Sequence, residues 1–218
     1  MIELGTKISS KGGWCNIYEI AGQPHLCAKV LARHRRYKGE FPDPEMIARK
    51  KYGINDMLQY ELDNHHAIVS RIPQKYQMFF VHMHGIQRTS DGHRALVMEC
   101  VRNTRGEVAK NLDQNTDRLS PDFFHNLELL RKKVFLQYSI DHFGLACRNI
   151  LVKNASTPVL IDFQNTIKRY PYQFWLRIPF FIRKKMNRRF QQVYKNMHVP
   201  DLTRGKSFPT SANLGDPS

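Results

Sequence analysis

Cysteine is scarce in this chain: Cys15, Cys27, Cys100 and Cys147 are the four among 218 residues, with no C-x-x-C pair and no His at metal-ligand spacing. That pattern excludes a zinc ribbon or a disulfide framework and predicts reduced core thiols in a cytoplasmic protein. Residues 1–7 lack the basic-then-apolar order of a secretory leader. Long apolar runs are missing too. The most apolar window, residues 174–182, is broken by Arg177 and Pro179 and falls far short of the roughly 20 residues a membrane span needs. Acidic residues are few: 19 Asp and Glu face 34 Lys and Arg, for a net charge of +15. Such an excess predicts an anionic partner. Because no familiar nucleic-acid module is present, nucleotide, phosphorylated glycolipid or an anionic membrane surface ranks ahead of nucleic acid, and a protein partner is also compatible.

What is present suffices for a core, since 41% of residues are hydrophobic and 11% aromatic. Strands are predicted over residues 1–31, with a Lys11-Gly12-Gly13 turn and an Ala21-Gly22-Gln23-Pro24 hairpin connection. A charged loop, Arg33-His34-Arg35-Arg36-Tyr37-Lys38, follows. Helix is predicted from about Pro44 to Ile68, interrupted at Gly53, with Met57, Tyr60, Leu62 and Ala67 on an apolar face. Two more strands, residues 79–87 and 95–101, flank the Thr89-Ser90-Asp91-Gly92 turn. Residues 102–118 read as a polar linker. Ser120-Pro121-Asp122 signals a helix start with Ser120 as N-cap, and Leu127, Leu130, Val134 and Tyr138 would line one face of a helix ending near Gly144. Residues 168–196 read as helix interrupted at Pro171 and Pro179, and residues 201–218 as a disordered tail.

The most informative stretch is Arg148-Asn149-Ile150-Leu151-Val152, then, past a short turn, Val159-Leu160-Ile161-Asp162-Phe163. An Asn, an apolar hairpin and an Asp-Phe resemble the metal-binding hairpin of kinase-like phosphotransferases, in which Asn149 and Asp162 would supply hard oxygen ligands to magnesium. Upstream, Gly12 and Gly13 are candidates for a phosphate-cradling turn, although Ser10 and Cys15 stand where flanking glycines would be expected. Lys29, in Cys27-Ala28-Lys29-Val30, is the candidate phosphate-binding lysine. Glu61 is its candidate ion-pair partner, with Glu45 as competitor. Glu99 and Val101, where the last strand runs into the polar stretch, complete the candidate cofactor-binding set. One element is missing. His142-Phe143-Gly144 stands where a catalytic Asp would be expected, five residues before Asn149, and Asp141 is three residues away.

Ala28-Lys29-Val30, Tyr60-Glu61-Leu62, His84-Gly85, Arg148-Asn149-Ile150-Leu151, Ile161-Asp162 and the basic segment from Trp175 to Phe190 together resemble the YrbL family, small kinase-like proteins associated with the PhoP regulatory network of bacteria. The resemblance runs over about residues 5–195. It implies an α+β, protein-kinase-like two-lobed fold: a small lobe over residues 1–101 and an abbreviated helical lobe over 102–200. It also implies ATP and Mg2+ at Lys29, Glu61, Asn149 and Asp162. On this reading the chain is an atypical ATP-dependent phosphotransferase for a small-molecule or glycolipid acceptor; the rival is an inactive regulatory pseudokinase.

Between Phe163 and Pro200 there is no acidic residue, while cations alternate with Tyr, Phe and Trp. A basic face beside an aromatic face is the composition of a peripheral membrane segment, here at the cytoplasmic side of the inner membrane. The competing reading packs the aromatics onto the preceding lobe.

Overall fold

The computed structural model describes residues 1–9, 15–32, 44–142, 144–163 and 171–197. The Gly12-Gly13 turn, the loop at residues 33–38, the Glu45 side chain and the tail lie outside the described residues.

Five antiparallel strands form one sheet in the order β1-β2-β3-β5-β4: β1 (Leu4–Ser9), β2 (Cys15–Ile20), β3 (Gln23–Leu31), β4 (Met83–Arg88) and β5 (Arg94–Glu99). The Ala21-Gly22 turn joins β2 to β3, Gly22 taking φ 72°. Strand periodicity then sorts β3. Ala28 and Val30 face one side with Ile2, Ile20, Ala95 and Val97, while Cys27 and Lys29, opposite Met98 and Leu96, face the other. Gly85, at φ 124°, sits where the β4–β5 register slips.

Helix α1 (Pro44–Tyr52) is closed by Gly53 at φ 64°, whose N–H bonds the Arg49 carbonyl at 3.0 Å. Helix α2 (Met57–Val69) opens at Asp56, whose carboxylate accepts from the N–H groups of Leu58 and Gln59 and pairs with Arg94 of β5. Met57, Tyr60 and Leu62 are buried as the pattern predicts, but Ala67 is exposed. A short α3 (Gln74–Gln77) follows.

Residues 102–118 are more than a linker. Arg102 bridges Val108, Leu112 N–H bonds the Ile150 carbonyl at 2.8 Å, and Val152 N–H bonds the Lys110 carbonyl at 2.9 Å, with Ala109 and Leu112 buried. This pairing lies along the hairpin of β6 (Ile150–Asn154) and β7 (Thr157–Leu160). On the other side Val81 N–H bonds the Leu160 carbonyl at 3.0 Å.

Helix α4 (Pro121–Leu130) starts where the Ser-Pro-Asp signal places it, but the Ser120 hydroxyl bonds the Ala155 carbonyl instead of capping the helix. Its continuation, residues Arg131–Leu136, is π-helical. The extra residue per turn turns Phe135 inward beside Val134, and Tyr138 is left half-buried. A 3-10 segment (Pro171–Arg177) and helix α5 (Pro179–Asn196) complete the described chain. α5 buries Ile182, Met186, Phe190, Val193 and Tyr194 in the same apolar cluster as α4, the hairpin and one face of the sheet.

Candidate functional site

Strand alternation aims Lys29 at α2, and the helical register turns Glu61 back toward it. The Lys29 ammonium lies 2.7 and 2.6 Å from the two carboxylate oxygens of Glu61 and 3.3 Å from Asp162 Oδ1. Asp162 follows β7 and adopts φ 67°, a left-handed conformation that non-glycine residues seldom take and that clusters at functional sites. Its second oxygen lies 3.1 Å from Asn149 Nδ2, which also donates to the Gly144 carbonyl at 2.7 Å. Asn149 comes from the 3-10 turn (Cys147–Asn149) that opens β6. Four residues far apart in sequence, Lys29, Glu61, Asn149 and Asp162, thus form one continuous polar chain.

Among the described residues the Lys29 ammonium meets two carboxylates, Glu61 and Asp162. Burial alone would depress the Lys29 pKa, but Glu61 and Asp162 outweigh it and the net shift is upward. Burial raises the Glu61 carboxyl against the pull of Lys29, with Asp162 adding to the rise. Among the described residues no group of three or more His, Cys, Asp or Glu could hold a metal unaided. An Asp162 carboxylate and the Asn149 amide oxygen are the kinds of hard ligand a magnesium ion takes, and water and phosphate would have to complete its shell.

Glu99 and Val101 lie off this chain. Glu99 pairs with Lys153 of β6 at 3.4 Å, and the Val101 carbonyl accepts from Ala109 N–H at 2.9 Å. Gly12 and Gly13 lie outside the described residues. Cys15 neighbours the site, but burial pushes its thiol up to about 12, which keeps it protonated and unreactive.

Gly144, where a catalytic Asp would be expected, is tightly packed. A Cβ on Gly144 would lie 3.0 Å from Asn149 Nδ2. Asp141 is buried and ion-paired to Lys185 of α5.

Sequence reasoning assigns no role to His65, His142 or Phe163, yet they brace the site. The Phe163 ring stands edge-on to His65 at 4.9 Å and to His142 at 5.3 Å between centroids, with Phe80 alongside. His65 lies one turn beyond Glu61 on the same face of α2, a spacing that could have marked it. A cavity of about 660 Å³ lined by Asp113, Asp117, Phe124, Cys147 and Arg148 opens beside the 3-10 turn, but none of the four site residues lines it.

The model of the family described as PhoP regulatory network protein YrbL matches residues 4–198. The chain belongs to the YrbL family. The match takes in the sheet, α2, the hairpin and all of α5, so the Lys29–Glu61–Asp162–Asn149 chain lies wholly within the YrbL region. No curated protein matches the sequence.

Proposed function

We propose that this YrbL-family chain binds ATP with magnesium in a kinase-like site and transfers a phosphoryl group to a small-molecule or glycolipid acceptor. The observation that carries the reading is the placement of Lys29, held by Glu61, within reach of Asp162 and, through it, Asn149. In this reading Lys29 holds phosphate oxygens, Glu61 fixes the ammonium in place, and Asp162 with Asn149 Oδ1 holds the metal. The metal would neutralise charge on the transferring group when bound. The chain's contribution is positioning: Asp141, the carboxylate three residues from Gly144, is held by Lys185, so turnover would be slow.

Two observations favour a second reading, a regulatory protein that binds nucleotide without turnover. They are the packing at Gly144 and the engagement of Asp141 by Lys185.

A thermal-shift titration with ATP and magnesium tests the common part, because a ligand of the native state raises its stability. A metal-dependent rise in Tm is expected for the wild type and none for Asp162→Ala; no rise in either discards both readings. Phosphate release from γ-labelled ATP then separates them, being slow but metal-dependent in the first and absent in the second.

A further inference from the structure

The basic aromatic segment divides in the folded protein. Leu176, Ile182, Phe190 and Tyr194 are buried. Tyr172, Phe174, Trp175, Ile178, Phe180 and Phe181 are not; Phe174 and Phe180 are 67% and 65% exposed. Nine large hydrophobic side chains are exposed among the described residues, and these six fall within ten consecutive positions. Isolated exposed apolar residues need no explanation, but a concentrated group marks a contact surface. The group is not a frayed end, because Leu176 and Ile182 pin it to the core from within.

The outward face of α5 continues from it. With Ile182, Met186, Phe190 and Val193 turned inward, helical periodicity sets Phe181, Lys184, Arg188 and Lys195 in one exposed row on the opposite side. An aromatic end therefore leads into a cationic stripe, with no carboxylate between Phe163 and Pro200 to offset it. A symmetric contact between two copies would set this stripe against its own image and repel. A bilayer surface rich in anionic phospholipid meets both parts: aromatics enter the interface and cations meet headgroups.

We propose that Tyr172, Phe174, Trp175, Ile178, Phe180 and Phe181, with the Lys184–Arg188–Lys195 stripe, dock this protein on an anionic phospholipid bilayer. The surface is independent of the nucleotide site, so either can fail without the other.

The test uses the full chain and vesicles of phosphatidylcholine with or without phosphatidylglycerol. Co-sedimentation is expected with the anionic vesicles only. Replacing Lys184, Arg188 and Lys195 by Gln should weaken it by about fivefold per charge removed, and Phe174→Ser with Phe180→Ser and Phe181→Ser should abolish it with circular dichroism unchanged. In a Trp14→Phe background, Trp175 fluorescence should shift to the blue on anionic vesicles. Absence of binding, or binding that survives the aromatic triple substitution, overturns the proposal. So does a concentration-dependent dimer that the same substitution dissociates, since a second copy would then cover the patch.

Discussion

A Cβ added at Gly144 would stand 2.8 Å from the carbonyl oxygen of Asp162, closer than such atoms approach in folded proteins. The glycine is required by the way the turn before β6 packs against Asp162. Gly144→Ala should therefore cost about 1–3 kcal/mol through forced displacement, read as a lower midpoint in urea unfolding. Gly144→Asp should destabilise further and abolish any metal-dependent ATP shift instead of conferring rapid turnover.

Lys29 and Glu61 form a buried pair with side-chain exposures of 12% and 5%. Removing one partner strands the other. Lys29→Met should cost about 3 kcal/mol, and adding Glu61→Leu should recover only part of that loss, because Asp162 also loses its ammonium at 3.3 Å. Denaturant unfolding of Lys29→Met, Glu61→Leu and the double variant measures the coupling; a double loss equal to the sum of the two single losses would show that the pair contributes nothing.

Two histidines give stability a definite pH dependence. Burial holds His65 and His142 down to about 4 from an ordinary 6.5. Both therefore stay neutral in the fold while the unfolded chain takes up protons. Stability is fully present above pH 6.5 and is lost as pH falls toward 4, by roughly 3 kcal/mol for each histidine. Both ring nitrogens of His142 are buried without a hydrogen-bond partner in the fold. His142→Phe should accordingly flatten the slope between pH 6.5 and 4, as measured by unfolding free energy at a series of pH values.

Lys185 and Asp141 are a second buried pair, at 11% and 3% side-chain exposure. Burial lowers the Lys185 pKa against the opposing pull of Asp141. Lys185→Met would leave Asp141 without this cation and should cost about 3 kcal/mol. An unchanged urea midpoint would contradict the assignment.

Much of the site was legible before the fold. Alternation in β3 alone sets Lys29 apart from Ala28 and Val30, and the hairpin from Asn149 to Asp162 announces itself because both strands are continuous apolar runs. What escaped were features that depend on partners distant in sequence. Asp56 caps α2 inside a stretch that reads as one helix interrupted at Gly53, and Ser120 gives a cap signal but spends its hydroxyl on Ala155. The π-helical turn after Leu130 displaces Tyr138 from the predicted face because Val134 and Phe135 are both drawn into the core. Residues 102–118 are polar enough to read as linker, yet their backbone pairs with β6, and backbone pairing leaves little mark on composition. The aromatics of residues 172–194 could not be divided from spacing alone, since which ones find a core depends on where α4 lies.

Helix α5 is held by parts of the chain made long before it. Val193 accepts from the Cys147 thiol, Asn187 from Arg131, and Tyr194 donates to Glu128, across 46, 56 and 66 residues. On a ribosome that synthesises from the N-terminus, the sheet can assemble while α4 and the hairpin are still uncovered. Phe135 meets Phe190, and Cys147 meets Val193, only once α5 has emerged. The nascent protein therefore passes through an interval with its central apolar surface open, which closes with the last described helix.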